Sequence, residues 1–202
     1  RPPLRDVEAK RGQGDRWLLG ERGRLVIRAT KAMEGFQFDE TMKAIRGFAW
    51  ETLADNYIEL VKARLYGPDS PEKRAAQSTL YRAIETVARL MAPFTPFISE
   101  EIFHTLTGES VHVQSWPEPE GIKVDPAGLA IKENAAAIRR YKAEKGMALN
   151  APLPGIVVYS ELGLETIDLS GVANSSVESR AGKPDIEMKP VAVRPQIKII
   201  GP

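Results

Sequence analysis

One long amphipathic pattern constrains the fold more than any other feature. Across residues 39–66, Met42, Ile45, Ala49, Leu53, Tyr57, Leu60 and Arg64 recur at spacings of three and four, and Gly67-Pro68 stops the run. This spacing fits the 3.6-residue repeat and predicts one long helix with a single stripe on one side. Such a stripe needs partners, and the flanking sequence supplies them. Asp15 is placed to cap a helix carrying Trp17, Leu18, Leu25, Ile27 and Ala29 that ends at Gly35, although Gly20 and Gly23 each weaken it by roughly 1 kcal/mol relative to alanine. Ser70 as cap and Pro71 at the first helical position open a third helix, with Ala76, Leu80, Ile84, Val87 and Met91 on one side. Pro93 ends it, and Thr95-Pro96 starts a fourth that carries Phe97, Ile98, Ile102, Phe103 and Leu106 as far as Gly108. Short connections between long helices force antiparallel neighbours. Residues 15–120 therefore read as a helical bundle, with Val111-His112-Val113 and Trp116-Pro117 as an extended tail packing back on it. Residues 1–14 are rich in Arg, Gly and Pro, lack periodicity, and read as a connector.

Pro117-Glu118-Pro119-Glu120-Gly121 reads as a linker to a second unit. There, a helix is expected from Pro126 to Gly146 with Ile131, Ala135, Ile138 and Tyr141 on its apolar side. Strands are expected at 156–159, 175–177, 186–193 and 197–200 from their β-branched content. The fold class is a mainly α helical bundle followed by a small α+β domain at residues 121–202.

The 202 residues, 43% of them apolar, are enough to bury a core. With no cysteine, thiol catalysis, disulfides and cysteine-bound zinc are excluded, and His104 and His112 are too few for a histidine-rich metal site. No run is long enough to span a membrane, and Arg1-Pro2-Pro3-Leu4-Arg5 lacks a signal peptide's apolar segment. A soluble, cytoplasmic protein without membrane partners is the expectation. Glycine-rich phosphate loops, nucleophile elbows and paired helical histidines are absent from the sequence. Glu100-Glu101 are helix neighbours about 100° apart, so they do not form an acid/base pair; their place after Pro96 suits the helix dipole instead. No catalytic residue and no metal site is assigned.

Net charge is +1, but its distribution is uneven: +3 over residues 1–67, −4 over 68–125, +3 over 126–150 and −1 over 151–202. A polyanion would meet the first or third segment. In the first, Lys43, Arg46, Trp50, Tyr57 and Arg64 recur at steps of three, four and seven along one helical flank. Two readings of this flank stand on spacing alone. Its charges and flat rings suit an unstacked RNA loop; equally, the rings fill the core and the charges are solvated. In the third segment Lys132 and Arg139 share a face, with Arg140 and Lys142 beside them, and the same two readings apply.

Four pieces resemble one family in order. Phe48-Ala49-Trp50-Glu51 with Tyr57-Ile58-Glu59-Leu60-Val61-Lys62 is similar to a helix of the anticodon-binding bundle of class I valyl, isoleucyl and leucyl tRNA synthetases. Ala92-Pro93-Phe94-Thr95-Pro96-Phe97-Ile98-Ser99-Glu100-Glu101-Ile102 with Trp116-Pro117 resembles that bundle's closing helix and exit. Ile138-Arg139-Arg140-Tyr141-Lys142, continuing to Leu149-Asn150-Ala151-Pro152-Leu153, resembles the C-terminal appendage of archaeal-type valyl enzymes. The valyl branch fits best. The resemblance covers roughly residues 15–160 and implies a tRNA anticodon stem-loop binding module, the C-terminal part of a longer enzyme. It also implies an upstream catalytic domain as partner.

The family's His-Ile-Gly-His-type and Lys-Met-Ser-Lys-Ser-type adenylation segments are absent, so this chain is expected to activate no amino acid by itself. ATP and magnesium would belong to the parent enzyme. No counterpart of the family's opening helix, of the Asn-Lys-x-Trp-Asn-x-x-Arg-Phe type, precedes Asp15. Its lack implies an incomplete RNA site and an exposed apolar surface. The resemblance makes Lys43, Arg46, Lys62 and Arg64 candidate phosphate contacts, Trp50 a stacking platform, and Arg139, Arg140 and Lys142 contacts from the second unit. The alternatives are the same region of an isoleucyl or leucyl enzyme, and a helical protein-interaction scaffold without RNA binding.

Overall fold

Helix α1, Gln13–Glu34, is the axis of the molecule. The computed structural model describes residues 10–182 and the backbone of 196–199. Helix α1 packs against four other helical segments: α2 (Phe38–Gly47), a π-helical segment (Phe48–Ile58), α4 (Pro71–Met91) and α6 (Pro126–Glu144). Its start differs by one turn from the sequence expectation. Gly12 is the cap residue, and Asp15 sits inside the first turn, where its carboxylate accepts the Gly12 N–H at 2.9 Å. Negative charge is favoured there for the same reason that a cap is, the exposed N–H groups of the helix end.

The expected long second helix runs without a break but not with one repeat. Helix α2, the π segment and α3 (Glu59–Tyr66) follow directly, and the joining residues Phe48 and Glu59 keep helical dihedrals. Helix α4 begins as expected, with Pro71 at its first position and Ser70 Oγ accepting the Lys73 N–H at 3.0 Å. Helix α5, Pro96–Thr107, ends at Gly108, which takes the left-handed φ of 78° that glycine adopts without a Cβ clash.

The tail after α5 is not extended throughout. Val111–Val113 forms a 3-10 turn with Val111 buried, and Trp116 Nε1 donates to Thr30 Oγ1 at 2.9 Å. The expected linker is tied down as well: the Glu120 carboxylate pairs with Arg22 at 2.7 Å and Arg82 at 2.9 Å.

Helix α6 is capped by Asp125, which accepts the Ala127 N–H at 2.9 Å. Beyond it lies a three-stranded sheet of order β2-β1-β3, with β1 at Ile156–Tyr159, β2 at Val177–Arg180 and β3 at Gln196–Ile199. Strand β1 pairs parallel with β2 and antiparallel with β3. Two of these strands start one or two residues from their expected places, and the candidate strand at 186–193 lies outside the described residues. The parallel connection is made by helix α7, Ile167–Ala173, which sequence reading missed because it is short and contains Gly171. The architecture is a helical bundle followed by a small α+β part.

The core runs from the bundle into the C-terminal part without a gap: Ile131, Ala135, Ile138 and Leu169 share one buried cluster with Trp17, Leu18, Tyr57 and Leu60. Close helix crossings make this possible. A Cβ on Gly128 of α6 would lie 2.0 Å from the Gln13 carbonyl oxygen, and one on Gly171 of α7 would lie 2.5 Å from Ala63 Cβ. The backbones meet at these points because no side chain intervenes. Gly128→Ala is therefore expected to lower stability by about 1–3 kcal/mol in urea unfolding, even though alanine is the better helix former by roughly 1 kcal/mol.

Candidate nucleic-acid interface

The π-helical segment decides which of the candidate residues reach solvent. At roughly 100° per residue, an unbroken α-helix would place Tyr57 within about 20° of Trp50. The wider i→i+5 turn advances only about 80° per residue, so seven steps carry Tyr57 about 200° round, to the opposite face. The burial follows this phase shift. Trp50 is 70% exposed, whereas Phe48, Leu53 and Tyr57 are buried, and the α3 residues Leu60 and Arg64 continue their side. The basic flank expected from spacing is thus split: Lys43, Arg46 and Trp50 face outward, and Tyr57 and Arg64 face in.

The outward part forms a shallow recess of about 410 Å³ lined by Lys43, Arg46, Gly47, Trp50 and Glu51. Arg46 makes no hydrogen bond or ion pair among the described residues and is exposed. Lys43 donates to Glu40 at 2.9 Å and Asp39 at 3.2 Å, which raises its pKa and lowers theirs. These exposed pairs are screened by solvent and easily exchanged for another anion. A second recess of about 360 Å³ adjoins the first through Lys43, Gly47 and Glu51, and adds Arg24 and Arg28 from α1. Sequence reading missed these two arginines; their signal was a spacing of four on a helix whose other face carries Leu25, Val26 and Ala29.

Arg64 is a correction to the expected phosphate contacts. Its guanidinium is buried, donating to Asp168 at 2.7 and 3.1 Å and to Asp15 at 2.8 and 3.0 Å. Tyr57 Oη donates to Asp15 at 2.7 Å and completes the cluster. Burial opposes the arginine's charge, but the Asp15 hydrogen bonds and the two carboxylates outweigh it and its pKa rises. Two carboxylates around one guanidinium leave one negative charge in excess. Burial, with Asp15 and Glu165 adding repulsion, pushes Asp168 up to about 7 against the pull of Arg64. Tyr57 is raised well above its usual range by burial and by Asp15.

The second unit's candidates also divide. Lys142 is a correction: it is fully buried, with Nζ donating to the Leu149 carbonyl at 2.8 Å and the Val172 carbonyl at 2.9 Å, and burial lowers its pKa. Arg139 is partly buried and donates to the Asp55 carbonyl and to Asn56 Oδ1 at 3.1 Å. Arg140 is exposed, as is Lys62, which pairs with Glu59 at 3.0 Å. An apolar surface is exposed at the α1–α2 and α4–α5 corners, where Phe38 meets Phe36 and Phe94 edge-on and Phe97 is 90% exposed.

The outward recess brings two cations, Lys43 and Arg46, beside one exposed ring, Trp50. Residues 15–157 match the family described as the anticodon-binding domain of tRNA ligase. The chain belongs to that family. Over its full length it is 61% identical to a valine–tRNA ligase of Methanothrix thermoacetophila, covering 23% of that relative. It is 52% identical to the valine–tRNA ligase of Methanosarcina barkeri and 45% to that of Archaeoglobus fulgidus, over 93% of this chain and 22% of each relative. The chain thus spans less than a quarter of the length of these relatives. No helix among its described residues is long and apolar enough to cross a membrane.

Two outcomes follow from the buried cluster. Arg64→Ala strands both carboxylates and is expected to cost about 3–5 kcal/mol in denaturant unfolding. The folded chain holds the Asp168 proton up to about pH 7, whereas the unfolded chain releases it near 3.8. The folded state therefore binds more protons in this window, and stability falls as pH rises from about 4 to about 7. Chemical denaturation across that range in Asp168→Asn is expected to show a flattened decline.

Proposed function

We propose that the chain is the tRNA anticodon stem-loop docking module of a valine–tRNA ligase, without catalytic activity of its own. The observation that carries this reading is Trp50, exposed beside Arg46, which has no ion pair among the described residues, and the solvent-exchangeable Lys43. A loop presents what such a recess holds: phosphates for the cations and unstacked bases for the indole face. Arg24 and Arg28 extend the cationic surface on one side, and Lys62 and Arg140 offer further phosphate contacts. Valine and its tRNA are assigned because the three relatives named above are valine–tRNA ligases. In the whole enzyme an upstream catalytic domain would bind ATP and magnesium and join valine to the tRNA, in the cytoplasm. The helical part at residues 15–120 would meet the anticodon arm, and the α+β part at 121–202 would brace it.

Binding of a tRNA(Val) anticodon hairpin, titrated against salt, tests the reading. Lys43→Ala and Arg46→Ala are each expected to weaken binding and reduce the salt slope by about one phosphate contact. Trp50→Ala should cost about 1–3 kcal/mol of affinity. Equal affinity for a scrambled hairpin would show charge attraction without recognition, and the proposal would fail.

A further inference from the structure

Gly47 has no packing reason to be glycine. It sits inside the long helix, where α2 meets the π segment, with ordinary helical dihedrals of φ −60° and ψ −43°. Glycine in such a place weakens a helix relative to alanine. Gly128 and Gly171 offset that cost by letting backbones meet, but a Cβ on Gly47 would meet nothing within 4 Å beyond the adjoining helix backbone. The space above it belongs to the two recesses, since Lys43, Gly47 and Glu51, each a turn after the last, border both. Gly47 is thus a notch between them, with Arg24 and Arg28 on one side and Arg46 and Trp50 on the other.

Glu51 is anomalous too. Its carboxylate is exposed and makes no hydrogen bond or ion pair among the described residues, although Arg24, Arg28, Lys43 and Arg46 line the recesses that it borders. The neighbouring acids are paired: Glu21 with Arg24, Glu40 with Arg28 and Lys43, and Asp39 with Lys43. A site for phosphate alone gains nothing from an acid between its cations, because the acid repels the ligand. A carboxylate serves there only toward a hydrogen-bond donor, and RNA carries donors on its bases and its 2′-hydroxyls. Trp50, the next residue along and on the same recess, offers a ring for a base.

We propose that Gly47 and Glu51 form a base-reading notch: one unstacked loop base lies over the Gly47 backbone, beside Trp50, with its amino group donating to the Glu51 carboxylate. Resting on the anticodon-docking reading, the notch adds to it a residue that tells one base from another. An ionised carboxylate only accepts, so the notch favours cytosine or adenine, which present an amino group, and rejects the keto oxygen of uracil. The phosphates on either side of that base fall to Arg24 and Arg28 or to Lys43 and Arg46. These cations supply affinity, and Glu51 supplies specificity.

Gly47→Ala tests the notch through effects of opposite sign. It is expected to raise the urea midpoint, because the methyl meets no clash, and yet to weaken binding of a tRNA(Val) anticodon hairpin about tenfold by filling the notch. Base exchange tests Glu51. Loop cytosines are changed in turn to uracil and adenines to hypoxanthine, which replaces an amino group by a keto oxygen. The wild-type chain is expected to lose about tenfold at one of these positions, and Glu51→Gln to lose little there, because an amide turns over to donate to a keto oxygen. Were Glu51 only a solvated charge, Glu51→Gln would strengthen binding of every hairpin alike and keep the discrimination, which would overturn the proposal. A lowered urea midpoint or unchanged affinity in Gly47→Ala would overturn it as well, as would a Glu51-dependent loss that follows 2′-deoxy substitution instead of the base. A wild-type chain that binds native and scrambled hairpins equally would overturn the docking reading and the notch with it; selective binding that survives both substitutions would overturn the notch alone.

Discussion

Arg64 holds three helices to one point. Its guanidinium joins Asp15 from α1 and Asp168 from α7 to α3, on which it sits. Once buried, each of these charges depends on the others, because a buried charge without a partner is far more costly than an exposed one. The cluster fixes how α3 and α7 meet, and Gly171 against Ala63 lets their backbones come close enough for the ions to touch. Lys142 acts similarly nearby, satisfying carbonyls of the loop after α6 and of α7. The C-terminal part is thus attached to the bundle by buried polar contacts as well as by shared apolar core.

The same cluster explains the division of the basic flank. With Tyr57 and Arg64 drawn inward and Ala44, Ile45 and Phe48 packed at the other end, both ends of the long helix are fixed in rotation. An α repeat does not connect them in phase, and the π segment absorbs the difference. The wide turns fall on the stretch that carries Trp50. Core packing thereby determines which rings and charges are left for a ligand.

Much of the bundle was legible because its signals are local. Ser70-Pro71, Pro96 and Gly108 mark helix ends through hydrogen-bond and steric requirements of a few residues. The shared exposed side of Lys43, Arg46 and Trp50 was legible from spacing because they precede the change of repeat or sit near its start. Arg64 and Lys142 were misread because spacing gives a residue's phase but not the length of the turn or the nature of its neighbours. Asp168, which accepts hydrogen bonds from Arg64, is 104 residues away in the chain. Helix α7 escaped notice since its seven residues are too few for periodicity to register.

By itself, then, the sequence determined most of the elements and of their ends, the absence of thiol chemistry and the family to which the chain belongs. Those properties follow from local hydrogen bonding, backbone sterics and motif order. Only the tertiary structure decided which cations are surface and which are framework. That distinction depends on long-range ion pairing and on rotational phase accumulated along a helix, and neither is encoded in any short window of residues.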